Sequence, residues 1–153
     1  MKRKIVLILP NIRSCHNVGA MFRTADAFDI SKLYLVGYTA TPPKIQIDKV
    51  SLGAETWMPW EKHDDIGGVI SCLKEEDYTI LGLEKTEKSL NIAEEIGNVA
   101  GDIALIVGNE VDGIDDEILA LCDHIVHIPM LGKKESLNVS IATGIALYAL
   151  RHG

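Results

Sequence analysis

The chain has 153 residues, 47% of them apolar, and a formal net charge of −7. That length suits one domain with a core large enough to stand without staples, and no apolar run approaches the ~20 residues of a membrane span. The acidic balance argues against a protein that coats nucleic acid without specificity, because such binding depends on neutralising phosphates. In chain order, a basic start, Met1-Lys2-Arg3-Lys4, leads into a first predicted strand over residues 4–9. It is not read as a signal peptide: the apolar run from Ile5 ends at Pro10-Asn11 without a small-residue cleavage site. A helix follows, with Val18, Met21, Phe22 and Ala25 at i, i+3, i+4, i+7. Further strands are predicted at 32–36, 78–83, 103–107 and 124–128, with a weaker one near 57–60, and helices at 64–74, 115–121 and 138–150.

These strands are short and apolar on both faces, as parallel strands are when helices cover both sides of a sheet. The alternation predicts an α/β domain with a mainly parallel, doubly wound sheet over residues 1–153, with no internal repeat or linker. Cys15, Cys72 and Cys122 are odd in number, widely spaced and form no CxxC pair, so neither a disulfide framework nor a zinc site is expected. The expectation is a reduced, cytoplasmic protein. His124 and His127 sit three apart on a strand, where such side chains point to opposite faces and cannot share a metal; no metal site is expected.

Three polar turns follow strands and lead towards helices, and ligand sites in parallel sheets gather at the C-terminal strand ends. The first holds Asn17, Gly19 and Arg23; Gly19 and Arg23, four apart, share a helix face. Arg23 is either an anion-binding group or a surface cation. The second, Gly108-Asn109-Glu110-Val111-Asp112-Gly113, places Glu110 near a strand tip. It is neither a P-loop nor a GxGxxG turn, since Ile114 rather than Lys follows Gly113. The third runs from Ile128-Pro129-Met130 to Ser136-Leu137-Asn138 at the mouth of the last helix. Asn and Ser are both favoured N-caps, so one of Ser136 and Asn138 is expected to cap and the other to face a ligand. The bases Arg13, Arg23, Lys133 and Lys134 lie beside these turns although the whole chain is acidic. In the last helix, Val139, Ala142, Ala146 and Ala149 form one apolar face and Ile141, Ile145 and Tyr148 another. A helix apolar all round is covered on more than one side, and a second subunit is the expected second cover.

Together the three segments resemble the motifs of the SPOUT superfamily, specifically its SpoU branch of RNA ribose 2′-O-methyltransferases. Asn17, Gly19 and Arg23 match the first motif; Gly108, Glu110 and Gly113 the second; Ile128-Pro129-Met130 with Ser136 to Ser140 the third. The resemblance implies a C-terminal trefoil knot whose loops hold S-adenosylmethionine, with the adenine among backbone groups near Leu83, Gly108, Ile128 and Leu137. Met130, Ser136 and Asn138 are the further cofactor contacts expected. It implies catalytic or orienting roles for Asn17, Arg23, Glu110, Ser136 and Asn138, with Arg23 beside the reacting hydroxyl as base or as phosphate anchor. A homodimer acting on RNA is expected, with no separate RNA-binding domain and neither DNA nor membrane as partner. A tRNA substrate is expected ahead of rRNA. The other class left open is a catalytically silent RNA-binding dimer of the same fold.

Overall fold

The computed structural model describes residues 2–153. Its seven strands are β1 (Ile5–Pro10), β2 (Lys32–Val36), β3 (Trp60–His63), β4 (Thr79–Leu83), β5 (Leu90–Asn91), β6 (Ile103–Val107) and β7 (His124–His127). They form one sheet in the order β3-β2-β1-β6-β4-β7-β5, with every pairing parallel. The α-helices are α1 (Cys15–Ala27), α2 (Ile45–Ser51), α3 (Ile66–Glu75), α4 (Ile92–Glu95), α5 (Asp116–Leu119) and α6 (Val139–His152).

The strand side chains alternate between two cores, as the two-residue period requires. Ile5, Leu7 and Leu9 of β1 and Ile103, Leu105 and Val107 of β6 point into a layer with Val18, Met21 and Phe22 of α1, Ile92 of α4 and Leu147 of α6. Val6, Ile8, Ala104 and Ile106 point the other way, against Val69, Ile70 and Leu73 of α3 and the partly buried Ile118 of α5. This two-sided burial is why β1 and β6 are continuous apolar runs. A fully buried leucine such as Leu105 is worth about 2–5 kcal/mol against alanine.

The chain runs outward from β1 through β2 to β3, then crosses back to build the other half of the sheet, so the winding reverses between β1 and β6. The connection after β1 rises to α1 on one face, and that after β6 rises to α5 on the other. A crevice therefore opens between them, where sheets of this kind bind ligands.

Several helices depend on local sequence. Ser14 caps α1, its hydroxyl accepting from the Asn17 amide at 3.1 Å. Gly19 allows α2 to lie directly on α1: a Cβ there would stand 2.6 Å from the Ile47 carbonyl oxygen. At the far end of α6, Arg151 donates to the carbonyls of Phe28, Asp29 and Arg3 at 2.9, 3.0 and 2.7 Å, fixing α6 to the end of α1.

The predicted weak strand near 57–60 lies further on, as β3. Met58 still closes a turn onto Ala54, and pairing starts only where the Pro59 carbonyl accepts from Leu33. The helix predicted at 115–121 shrinks to the single turn of α5. In α6 the buried face is Thr143, Ala146, Leu147 and Leu150, not the alanine stripe alone, while Ile141, Ile145 and Tyr148 are 55%, 43% and 59% exposed. Within one chain, the second apolar face is uncovered. Among the described residues no helix is long and apolar enough to cross a membrane.

Candidate active site

The C-terminal ends of β1, β4, β6 and β7 carry the loops that build the site. Beyond β6, the backbone of Asn109 pairs with that of Gly113, and the Asn109 Oδ1 accepts from the amides of Val111 and Asp112 at 2.7 and 3.0 Å. This closed loop holds Glu110 towards the start of α1. There the Glu110 carboxylate accepts from the Ser14 and Arg13 amides and from the Asn17 Nδ2, each at 3.3 Å. Desolvation pushes this carboxyl's pKa up, but the hydrogen bonds from backbone amides, its own included, and from Asn17 outweigh that, and the net shift is downward. Glu110 is thus a fixed anion at the positive end of a helix. Asn17, almost wholly buried, ties the first motif to the second.

The same loop is built around another carboxyl, that of Glu84, the first residue after β4. Its Oε2 accepts from the Ile114 amide at 3.2 Å. A Cβ at Gly113, whose φ is +69°, would fall 2.8 Å from the Glu84 Oε1, and one at Gly108 would fall 2.9 Å from the Gly113 Cα. Both glycines are therefore required by close approach. Burial pushes the Glu84 pKa up, with only the Ile114 hydrogen bond acting against it.

Between these loops and the start of α6 lies a cavity of about 590 Å³, within the size range of small-molecule sites. Leu83, Gly108, Glu110, Ile128, Met130, Ser136, Leu137 and Asn138 all line it, so most of the residues singled out from the sequence meet in one place. The choice between the two caps is settled: the Asn138 Oδ1 accepts from the Ser140 amide at 2.9 Å and caps α6. Ser136 makes no side-chain hydrogen bond among the described residues and is left for a ligand.

Arg23 does not join them. Along α1 it lies six residues beyond Asn17, about 9 Å up the axis and about 120° round it. Asn17 turns inward, whereas Arg23 is exposed in a groove with Ala20, Phe28, Val50 and Gly144. Its expected partner on the helix face, Gly19, serves packing instead.

Glu84 and Lys85 line the cavity outside the three motifs, and so does His127, which the sequence presented only as a rejected metal ligand. The sequence signal was available, since Glu84-Lys85-Thr86 is a fourth polar turn at a strand end. The His127 Nδ1 lies 2.9 Å from the Ser89 Oγ, which itself donates to the Thr86 carbonyl, so Nδ1 is the donor of that pair. The His127 Nε2 faces the Lys85 Nζ at 3.4 Å. Burial, then the Lys85 charge, lowers the His127 pKa. His124 points to the other side, 3.3 Å from Glu95. Among the described residues no cluster of His, Cys, Asp or Glu is placed to hold a metal.

The cavity suits a nucleoside-bearing cofactor. Leu83, Ile128 and Leu137 offer an apolar wall to a flat base, Gly108 lets a ligand approach the backbone, and Ser136 and Glu84 supply unspent polar atoms. A parallel, doubly wound sheet with such a cavity at its strand tips defines a nucleotide-cofactor-binding α/β domain. Within that class, residues 4–148 match the model of the SpoU rRNA methylase family. The chain belongs to that family: it carries the family's S-adenosylmethionine-dependent RNA methyltransferase domain.

Among its relatives is a tRNA (guanosine(18)-2′-O)-methyltransferase of Aquifex aeolicus, 33% identical over 96% of this chain and 68% of that protein. A 23S rRNA (guanosine-2′-O-)-methyltransferase of Coxiella burnetii is also 33% identical, over 96% of this chain and 58% of that protein. An AdoMet-bound rRNA methyltransferase from Sinorhizobium meliloti superposes with a TM-score of 0.90 at 26% identity, over 99% of this chain and 57% of that one. The chain thus spans little more than half of the latter two.

Proposed function

We propose that the protein transfers a methyl group from S-adenosylmethionine to a ribose 2′-hydroxyl of RNA, with tRNA as the first candidate substrate. The observation that carries this reading is the meeting of the second and third motifs around one cavity, with the first motif bound to it through Asn17 and Glu110. When bound, the cofactor supplies an electrophilic methyl group, and the protein's part is position and electrostatics. Leu83, Gly108, Ile128, Met130 and Leu137 hold the adenosine part, and Ser136 and Asn138 orient the polar end. Glu110, fixed as an anion, sets the start of α1 and the placement of Asn17 relative to the cavity.

Arg23 is the RNA-facing group of this reading. Its guanidinium has no hydrogen bond or ion pair among the described residues, so it is available to grip a phosphate bidentately. Because it faces the groove between α1 and α6 rather than its own chain's cavity, it takes part only if assembly brings it to a site. A homodimer through the exposed Ile141, Ile145 and Tyr148 face supplies that assembly, since Gly144 of the same helix lines the Arg23 groove. The trefoil knot belongs to the same reading, as does a cytoplasmic setting, consistent with three free cysteines.

The test is calorimetry with S-adenosylmethionine, followed by nucleoside mass spectrometry of RNA incubated with both. Cofactor binding and a 2′-O-methylated nucleoside are expected. Absence of binding at millimolar cofactor would overturn the proposal in favour of a silent RNA-binding dimer. An rRNA substrate is the second reading, because the tRNA and rRNA relatives are equally identical to this chain. Mapping 2′-O-methyl sites in total RNA with and without the gene decides between them.

A further inference from the structure

We propose that Glu84 is the ribose-binding residue of this cofactor cavity, its Oε1 accepting hydrogen bonds from the cofactor's vicinal hydroxyls. The proposal rests on the methyltransferase reading and adds to it a contact that none of the three motifs contains.

The geometry is that of a carboxylate prepared for a ligand. Glu84 directly follows Leu83 at the tip of β4, where the apolar wall of the cavity ends. Its Oε2 is held by the Ile114 amide, which fixes the plane of the group. No protein donor reaches Oε1 among the described residues. Gly113 of the neighbouring loop leaves this carboxyl its place, since a Cβ there would stand 2.8 and 2.9 Å from its two oxygens. Oε1 has no protein partner yet is not among the buried atoms, so it faces the solvent that fills the cavity. A ligand that displaces this water must bring hydrogen-bond donors of its own.

The donors in S-adenosylmethionine are the ribose diol, the adenine amino group and the methionyl ammonium. A base seated on Leu83 and Ile128 leaves the ribose, one bond away, next to the residue that follows Leu83. The other carboxylate lining the cavity, Glu110, already accepts from the Arg13 and Ser14 amides and from Asn17, so Glu84 is the one with an oxygen free for a ligand. A neutral diol suits the less readily ionised carboxyl. Two adjacent hydroxyls also match an acceptor with free lone pairs on a fixed plane.

The experiment is calorimetry of wild type, Glu84→Gln and Glu84→Ala with S-adenosylhomocysteine, with 5′-methylthioadenosine, which keeps the ribose and lacks the amino acid, and with the 2′-deoxy form of the latter. Hydrogen bonds to a charged group predict roughly tenfold weaker binding of the first two ligands to Glu84→Gln. The wild type should bind the deoxy analogue about tenfold more weakly than its parent, and Glu84→Gln should lose that discrimination. Glu84→Gln keeps an acceptor for Ile114 and removes a half-buried charge, so it should melt no lower than wild type. Unchanged binding of methylthioadenosine to Glu84→Gln, or deoxy discrimination retained by it, overturns the assignment. A fall for S-adenosylhomocysteine alone would give Glu84 to the ammonium instead. Wild-type protein that binds none of the ligands would overturn the methyltransferase reading, and this inference with it.

Discussion

The cavity at the strand tips and the groove between α1 and α6 treat their charged groups in opposite ways. In the cavity, Glu110 is held by three donors and Asn138 is spent on a helix cap. In the groove, Arg23 is exposed and makes no hydrogen bond or ion pair among the described residues, with Gly144 of α6 on the opposite wall. The first is a preorganised small-molecule site, finished within one chain. The second is an unfinished surface whose cation acquires a role only from what is laid upon it. Two residues of one motif therefore face different ways: Asn17 is tied to Glu110 beside the cavity, and Arg23 faces the groove.

The sharpest way to break this comparison is Arg23→Ala. Methyl transfer should fall about a hundredfold or more, the scale of lost positioning, while calorimetry finds cofactor affinity unchanged. Arg23→Lys should fall nearly as far, because it keeps the charge and loses the planar fork. Wild-type turnover in Arg23→Ala would make Arg23 a surface cation and end its catalytic assignment.

Ile145→Glu tests whether the groove is completed by a second copy. Ile145 is 43% exposed in the single chain, so the substitution should leave the fold intact yet bury a charge in any α6-mediated interface, at several kcal/mol to the dimer. Sedimentation at micromolar concentration should show dimer for wild type and monomer for the variant, with methyl transfer lost and cofactor binding largely retained. A monomeric wild type would refute the assembly.

Asn138→Ala probes the cavity side, where cap and pocket coincide. Loss of an N-cap costs about 1 kcal/mol, so a lower melting temperature and weaker cofactor binding should appear together. Ser136→Ala, which removes no cap, should weaken binding without moving the melting temperature.

The smallest effect concerns Glu110. Its folded pKa lies below the ordinary 4.5, so its contribution to stability is present in full above that value and is lost as pH falls through the folded pKa. Melting curves between pH 7 and pH 3 should show a steeper acid loss for wild type than for Glu110→Gln. Parallel curves would mean that the bonds to Arg13, Ser14 and Asn17 contribute nothing net.

Much of the fold was legible because burial on both faces leaves a plain mark: β1, β2 and β6 lie where their apolar runs put them. The losses are short elements with little periodicity. In α2 only Ile47 and Ser51 are buried, too few to show a helical repeat, and β5 is two residues paired to β7. Glu84 escaped notice because a single acid after a strand looks solvated until the folded loop shows Gly113 beside its carboxyl. Arg23 was recognised as a candidate, but its direction depends on the six-residue offset from Asn17 around a helix that the core fixes.

By itself the sequence determined the class of sheet, the polar turns at its strand ends and the resemblance that the family match bears out. Those depend on local composition and on motif order, which survive without coordinates. The tertiary structure decided which side chains share a space: that Glu110 is spent on the start of α1, that Asn138 rather than Ser136 caps α6, that Glu84 enters the cavity and that Arg23 leaves it. The cap is a local contact, but the placements of Glu110 and Glu84 come from loops that are far apart in sequence and are brought together only when β6 is inserted between β1 and β4. No local pattern records a contact that depends on the order of strands in a sheet.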